Sequence, residues 1–238
     1  MLNEVREVSI SLPNNYYKSE ETFPVLYMLD GYFKMAAGTV GFLSEEAGLI
    51  PPMIVVTIEN TDRMRDMSPT NSLTSWDGKQ YDEFKTSGGA DNFLNFIGKE
   101  LMPAINLKYR TSGENTLVGH SLCGLTVLYA LQNYPELFKN YVAIDPSYWW
   151  DGELILKKEN IEKLRDLKSG KNLYINLSQH HPDNLQEEKG AKKFVKILTD
   201  EKFKNLNWNF SHLKNEAHHT MLLRSLYEAM EFIYKPKD

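Results

Sequence analysis

Short apolar segments recur along the chain, and each one is followed by turn-forming residues. Six of them have the length of buried strands: 25–29, 53–58, 116–119, 141–144, 173–177 and 208–213. Continuous apolar runs of this length are typical of strands that are covered on both faces of a sheet. Residues 5–12 instead alternate between apolar and polar side chains and stop at Pro13, which predicts a half-exposed edge strand.

Amphipathic segments with helical spacing lie between the predicted strands. Apolar residues recur three or four positions apart in 93–101, 122–131, 194–198 and 222–233. Strands that alternate with helices predict an α/β fold with a mostly parallel central sheet and helices on both faces. Because no repeat, low-complexity tract or linker interrupts the pattern, residues 1–238 are expected to form a single domain.

Composition and charge exclude several classes of function. The chain is 42% hydrophobic and 25% charged, as globular proteins usually are. Its net charge of −5 and its scattered Lys and Arg residues argue against a nucleic-acid partner, and no apolar stretch predicts a membrane span. The single cysteine, Cys123, excludes an intrachain disulfide. No apolar signal region follows Met1, but a trimmed signal peptide would leave the same pattern, so the compartment stays open.

A nucleophile motif follows the fourth predicted strand, at the edge where parallel sheets place their chemistry. Residues 119–124 read Gly-His-Ser-Leu-Cys-Gly between an apolar strand and an apolar-striped helix, which is the context of a Gly-x-Ser-x-Gly elbow. Such a turn exposes the hydroxyl of Ser121 and presents the N–H of Leu122 to an oxyanion. Cys123 stands at a position that usually holds glycine, and we expect it to pack within the turn rather than act as the nucleophile.

Two adjacent histidines follow the last predicted strand. The order along the chain in this kind of enzyme is serine, acid, histidine, and the loop 215–220 reads Asn-Glu-Ala-His-His-Thr. On these grounds either His218 or His219 is a candidate general base. A metal site that combines them with His180 and His181 is disfavoured, because adjacent histidines rarely bind one ion and no HExxH spacing is present. No metal and no cofactor are expected.

The acid that orients the histidine is the least defined part of the predicted site. Asp183, in the loop after the sixth predicted strand, is the first choice. Asp145, after the fifth strand, and Glu187 are the alternatives. A Ser–His dyad without any carboxylate also remains open.

Several segments, taken in order, resemble one family. They are Phe-Pro-Val-Leu-Tyr-Met-Leu-Asp-Gly at 23–31, Arg-Met-Arg-Asp-Met-Ser-Pro at 63–69, the elbow, Asp-Pro-Ser-Tyr-Trp-Trp at 145–150, Glu-Ala-His-His-Thr at 216–220 and Leu-Arg-Ser-Leu-Tyr at 223–227. The chain resembles the putative esterase family, which holds enterobactin-type siderophore esterases, esterase D and antigen-85 mycolyltransferases. It is most similar to the siderophore-esterase branch. This resemblance implies the α/β-hydrolase fold.

The resemblance also implies roles for individual residues. The histidine of the family follows a glutamate by two positions, which implies that His218 is the base. The residue after Leu-Asp-Gly donates the second oxyanion N–H, and here it is Tyr32. Two further segments of the family line the substrate cleft, which implies four binding residues: Arg63, Arg65, Trp149 and Trp150. The alternatives are buried packing for the two tryptophans and a local ion pair between Arg65 and Asp66.

These observations predict a serine esterase that forms an acyl-enzyme on Ser121, with a small-molecule ester as its partner. Two alternatives remain: an acyltransferase of the same fold, and a non-catalytic protein that binds a ligand in the same cleft. The sequence identifies neither the substrate nor the oligomeric state.

Overall fold

The computed structural model describes residues 2–179 and 186–235. Within them, seven strands form one sheet in the order β1-β3-β2-β4-β5-β6-β7. The strands are β1 (Val8–Ser11), β2 (Phe23–Leu29), β3 (Ile54–Ile58), β4 (Thr111–His120), β5 (Asn140–Ile144), β6 (Lys171–Ser178) and β7 (Leu206–Leu213). β1 pairs antiparallel with β3, and all other neighbours are parallel. The carboxyl ends of β2 to β7 therefore meet at one edge of the sheet.

Helices connect the parallel strands. They are α1 (Phe33–Gly41), α2 (Arg63–Met67), α3 (Ala90–Phe96), α4 (Met102–Lys108), α5 (Leu122–Asn133), α6 (Trp150–Glu153), α7 (Lys158–Lys163), α8 (Gln186–Glu201) and α9 (Leu222–Tyr234). A π-helical turn, Phe42–Glu46, extends α1, and a second one, Ile97–Leu101, joins α3 to α4. In the described part of the chain, no helix is long and apolar enough to cross a membrane.

Successive residues of each central strand belong to two different apolar cores. In β2, Val25 and Tyr27 face one core, which α3, α4, α5, α7 and α8 cover, while Leu26 and Met28 face the other, which α1 and α9 cover. All four of these side chains are completely buried. This two-sided burial explains why the central strands read as continuous apolar runs.

The predicted α/β architecture is confirmed: the sheet is mostly parallel and carries helices on both faces. The predicted edge strand is shorter than its alternating pattern, because only Val8–Ser11 pairs with β3. β4 is longer than its apolar run, since its polar amino-terminal half also pairs with β2 beyond a register shift at Phe23.

Candidate active site

Ser121 occupies a tight turn between β4 and α5. Its backbone has φ 61° and ψ −120°, a conformation that costs a non-glycine residue on the order of 1–3 kcal/mol. The turn is fixed to the neighbouring strand, because the Ser121 N–H donates to the carbonyl oxygen of Ile144 at 2.9 Å. A Cβ atom on Gly119 would lie 2.4 Å from the carbonyl oxygen of Cys123, so strand and helix pass too close for a side chain there.

Cys123 fills the second small position of this turn with a side chain that is fully buried. Burial, together with the nearby carboxylate of Asp30, raises the pKa of the Cys123 thiol well above its ordinary value. The group therefore stays protonated and has no access to a substrate, which leaves the hydroxyl of Ser121 as the candidate nucleophile in this turn.

His218 makes a short contact with a buried carboxylate. Its Nδ1 lies 2.7 Å from Oδ2 of Asp145, whose side chain is completely buried while that of His218 is 29% exposed. A carboxylate in this position accepts the Nδ1 proton, which leaves Nε2 unprotonated and able to take a proton from a serine hydroxyl. Asp145 was the second choice from the sequence, and the first choice, Asp183, lies outside the described residues.

Groups from β6 hold Asp145 in place. Its Oδ2 accepts a hydrogen bond from the Ser178 hydroxyl at 2.6 Å, and its Oδ1 accepts one from the Ser178 N–H at 3.2 Å. The backbone N–H of Asp145 donates to Oδ1 of Asn176 at 3.1 Å. The two Ser178 donors favour the charged form of the carboxylate, and together with the Asn176 contact they fix the position of the oxygen that meets His218.

The loop after β7 brings His218 across the sheet edge towards β4. It is anchored at the end of β6, where the Gln179 N–H donates to the Glu216 carbonyl oxygen at 2.8 Å. The His218 ring then packs on the ring of His120, the last residue of β4, with 4.3 Å between the ring centroids. A loop on this path passes the end of β5, which is why Asp145 can reach the imidazole.

His120 contributes a neutral imidazole to this packing. Burial, and then the proximity of His218, lower the pKa of His120 from 6.5 to about 4. The side chain is 4% exposed, and its Nε2 has no hydrogen-bond partner among the described residues. His120 is thus uncharged at neutral pH and presents a ring surface, not a second base, to His218.

The buried His120 is expected to make the fold sensitive to mild acid. Because its pKa in the fold lies below that of the unfolded chain, the unfolded chain binds the proton more readily, and stability falls as the pH drops from about 6.5 to 4. The loss attributable to His120 is about 3 kcal/mol at pH 4. Urea unfolding of the wild type and His120→Gln at pH 7 and pH 4 measures it. An equal loss in both proteins would contradict this assignment.

Two cavities meet at Ser121 and His218. The larger, which we call the aromatic cavity, has a volume of 630 Å³; beside these two residues it is lined by Ser75, Trp76, Tyr81, Glu83, Phe84, Ser147, Trp149, Gln179, Glu187, Ala217 and His219. The smaller, the arginine cavity, measures 410 Å³; its other lining residues are Asp30, Tyr32, Arg63, His120 and His219. Ser121 and His218 therefore lie at the junction of two cavities with different lining residues.

The two arginines expected in the cleft have separate environments. Arg63 lines the arginine cavity and forms a bidentate pair with Asp30, with N–O distances from 2.9 to 3.1 Å. Arg65 lines neither cavity: it contacts Asp66 and Glu4, each at 2.8 Å. The expectation that Arg65 lines the cleft is therefore corrected. Arg63 and Arg65 are two positions apart on the short helix α2, and residues with this spacing do not share a helix face.

The two tryptophans also separate. Trp149 lines the aromatic cavity and stacks on Phe84 at a centroid distance of 6.4 Å. Trp150 has no exposed surface, packs in the core and donates from Nε1 to the Thr70 hydroxyl at 3.2 Å. Trp150 therefore supports the wall of the cleft instead of lining it, contrary to the expectation.

The two expected oxyanion donors differ in their present partners. Leu122 is the first residue of α5, where backbone N–H groups have no acceptor within the helix. The Tyr32 N–H donates to the carbonyl oxygen of Asp30 at 3.0 Å, in a turn that Gly31 makes at φ 79°. Leu122 thus has the available donor, whereas Tyr32 must exchange a backbone partner to bind an oxyanion.

Sequence reasoning missed most of the aromatic wall. Trp76, Tyr81 and Phe84 belong to a loop between α2 and α3 that contains an isolated bridge between Thr74 and Gln80. The available signal was an unusual density of aromatic residues in a polar segment outside the helical and strand patterns. Among the described residues, no group of three or more His, Cys, Asp or Glu side chains is arranged to hold a metal ion.

Named proteins and solved structures are similar to this chain. Ferri-bacillibactin esterase BesA of Bacillus subtilis is 29% identical in an alignment of 237 positions, which covers 90% of this chain and 80% of BesA. An IroE-like serine hydrolase from Shewanella oneidensis superposes with a TM-score of 0.91 at 34% identity, over 98% of this chain and 77% of its own. The BES protein from Bacillus cereus has a TM-score of 0.83 at 26% identity, over 97% and 91% of the two chains.

A serine on a strand–helix elbow, at the carboxyl edge of a mostly parallel sheet, defines a serine hydrolase of the α/β-hydrolase fold. The chain belongs to the putative esterase family, whose model matches residues 1–220, and it is a carboxylic ester hydrolase. The resemblance inferred from the sequence is confirmed. The alternatives of an acyltransferase and a non-catalytic binding protein find no support among these relatives.

Proposed function

We propose that this esterase hydrolyses siderophore esters, with Ser121 as nucleophile, His218 as general base and Asp145 as the carboxylate that orients His218. The observation that carries the assignment of roles is the 2.7 Å contact between His218 Nδ1 and Asp145 Oδ2, beside a cavity that both Ser121 and His218 line. The substrate class is supported by the similarity to BesA, an esterase of ferri-bacillibactin.

The proposed reaction has two half-reactions. His218 Nε2 takes the hydroxyl proton of Ser121 as Oγ attacks the ester carbonyl carbon, and the carbonyl oxygen becomes an oxyanion. The Leu122 N–H stabilises this oxyanion, and the Tyr32 N–H joins it by releasing Asp30. The protonated His218 then gives its proton to the leaving alcohol oxygen, and the acyl group remains on Ser121.

A water molecule completes the cycle. His218 removes a proton from the water as its oxygen attacks the acyl carbon, and the same proton returns to Ser121 when the acid departs. Throughout, Asp145 faces His218 Nδ1, and the two hydrogen bonds that it accepts from Ser178 hold it there. The neighbouring ring of His120 limits where the His218 ring can lie.

The purified protein is expected to hydrolyse a metal-free catecholate trilactone, and His218→Ala is expected to lower kcat/KM by about a thousandfold or more. His219→Ala is the matched control, because its ring lies 5.0 Å from that of His218, between centroids, whereas the 2.7 Å contact with Asp145 is made by His218. It is expected to stay within about tenfold of the wild type. Chromatography of the cleaved products measures both rates.

Two results would contradict the proposal in different ways. A large loss in His219→Ala together with a small one in His218→Ala would make His219 the base. Hydrolysis of p-nitrophenyl butyrate without any cleavage of the trilactone would keep the esterase but reject the siderophore class.

A further inference from the structure

We propose that Arg63 is a positioning residue for the oxyanion site: its ion pair with Asp30 holds the turn that carries the second oxyanion donor, the N–H of Tyr32. This role rests on the acyl-enzyme mechanism proposed above and adds to it how one donor is placed. It does not depend on which ester is the natural substrate, so a simple chromogenic ester can test it.

The turn at residues 30–32 has an uncommon backbone. The Tyr32 N–H donates to the carbonyl oxygen of Asp30 at 3.0 Å, and Gly31 between them has φ 79°. A hydrogen bond across a single residue with such a φ is typical of the γ-turn that is rare in proteins because it is strained. Asp30 itself has φ 65°, in the left-handed region. The Tyr32 N–H can therefore be released to an oxyanion, but the turn needs support from other segments.

Side-chain contacts to Asp30 supply this support. Nε and Nη2 of Arg63 donate to its two carboxylate oxygens at 2.9 to 3.1 Å, and Nδ2 of Asn60 donates to Oδ1. The Asp30 side chain is 8% exposed. Arg63 also lines the arginine cavity beside Tyr32 and Ser121. A bidentate guanidinium–carboxylate pair fixes the orientation of the carboxylate as well as its distance, so Arg63 determines where the turn lies.

The helix that carries Arg63 is tied to the helix that carries the first oxyanion donor. Met67 ends α2, and its carbonyl oxygen accepts a hydrogen bond from the Thr126 hydroxyl of α5 at 2.6 Å. Thr126 is completely buried, and α5 begins at Leu122. Because Arg63 joins α2 to the turn, it sets the position of the Tyr32 N–H relative to the Leu122 N–H. The two donors come from separate segments, and Arg63 links the supports of both.

A positioning role and a direct contact with the substrate predict different kinetics. If Arg63 bound the ester itself, its loss would raise the half-saturating concentration. If Arg63 positions an oxyanion donor, its loss slows acylation at saturation, because the oxyanion forms only as Ser121 attacks. Asp30→Asn separates the two roles further, since it frees the guanidinium for a substrate but removes the ion pair. Asparagine tolerates the left-handed backbone at this position, so the variant is expected to fold.

The test measures single-turnover release of p-nitrophenol from p-nitrophenyl butyrate at a series of enzyme concentrations. The proteins are the wild type, Arg63→Met, Arg63→Lys, Asp30→Asn and the double variant Arg63→Met with Asp30→Asn. We expect Arg63→Met and Asp30→Asn each to lower the acylation rate at saturation by about ten- to a hundredfold, with the half-saturating concentration within about threefold of the wild type. The double variant should be no slower than the slower single variant, because the two residues act as one unit. Arg63→Lys keeps the charge without the bidentate geometry and should recover part of the rate.

Arg65→Met is the matched control. It removes the same kind of side chain two positions along α2, where Arg65 pairs with Asp66 and Glu4 and lines neither cavity. Its acylation rate should stay within about threefold of the wild type. A second measurement uses an alkyl trifluoromethyl ketone, whose adduct with Ser121 carries an oxyanion. Its inhibition constant should rise in the Arg63 and Asp30 variants by about the factor by which acylation slows.

Several results would overturn the inference. A raised half-saturating concentration with an unchanged rate in Arg63→Met would make Arg63 a substrate contact. Wild-type acylation by Asp30→Asn, or losses that multiply in the double variant, would show that the pair does not act as a unit. An equal loss in Arg65→Met would assign the effect to a general disturbance of α2.

Failure of the mechanism itself gives a different result. If the wild type forms no acyl-enzyme on Ser121, the proposed mechanism fails, and the role of Arg63 fails with it. Every variant result described above leaves that mechanism intact. If Arg63→Met does not fold because the buried charge of Asp30 loses its partner, Asp30→Asn and the double variant, which leaves neither charge, still decide.

Discussion

Replacing Ser121 by alanine is expected to lower kcat/KM for ester substrates by at least about a thousandfold, with the fold retained. Without Oγ no acyl-enzyme can form, and the residual rate comes from substrate binding and the oxyanion donors alone. Alanine keeps the Cβ atom at φ 61°, so the turn between β4 and α5 meets no new steric demand. Initial rates with p-nitrophenyl butyrate measure the loss, and a fluorophosphonate probe should label the wild type but not the variant.

Cys123→Ala is the matched control, because it alters the same turn by one buried atom and leaves the hydroxyl of Ser121 in place. Its activity should stay within a few-fold of the wild type. If Ser121→Ala retained more than a tenth of the wild-type rate, the acyl-enzyme mechanism would be wrong. If Cys123→Ala alone lost probe labelling, the thiol would be the nucleophile.

Asp145→Asn is expected to lower kcat by up to about ten-thousandfold. The amide oxygen can take the place of Oδ1 and accept from the Ser178 N–H, but the NH₂ group then takes the place of Oδ2, faces His218 Nδ1 and donates to it. His218 would therefore carry its proton on Nε2 and could not accept the proton of Ser121. Single-turnover kinetics with p-nitrophenyl butyrate measure the acylation step directly.

Asp183→Asn distinguishes this assignment from the one that the sequence favoured. If Asp145 orients His218, the Asp183 variant should keep most of its activity. A large loss in Asp183→Asn with little effect in Asp145→Asn would return the role to Asp183. If neither substitution, nor Glu187→Gln, lowered kcat by more than about tenfold, a Ser–His dyad would explain the result better.

The sheet and its helical layers could be predicted because a strand that is buried on both faces has a continuous apolar sequence. Val25–Leu29 of β2 is apolar at every position, and the structure covers it on both faces. The elbow could also be predicted, because its small residues, its serine, and the apolar patterns of the strand before it and the helix after it all lie within one short stretch of sequence. The amino-terminal half of β4 could not be predicted as a strand, because its polar residues owe their strand conformation to pairing with β2.

The sequence reduced the candidates for the catalytic acid to a few residues but could not select one of them, because the role depends on contacts between distant segments. Asp145 and His218 are 73 positions apart, and the two meet only because the loop after β7 crosses the end of β5 to reach His120 on β4. The residues that surround Asp145 in the sequence do not indicate the path of this loop. The rule that places the acid after the sixth strand favoured a different residue.

The directions in which adjacent side chains point could also not be predicted from the sequence. Trp149 and Trp150 are neighbours of the same type, yet one lines the cavity and the other is buried. The turn that separates them continues through Asp151 at φ 45° and Gly152 at φ 63°, a left-handed path that no simple periodicity describes. The resemblance identified the right segment, and the backbone then decided which ring faces the substrate.

The single buried cysteine allows local opening of the elbow to be measured without any engineered label. Cys123 has no exposed surface, its thiol is protonated, and it follows Ser121 by two residues. A maleimide can reach it only when the β4–α5 junction opens. The rate of native-state alkylation, divided by the rate for the unfolded chain, therefore gives the local opening free energy at the nucleophile, in a protein whose sequence contains no second thiol to obscure the signal.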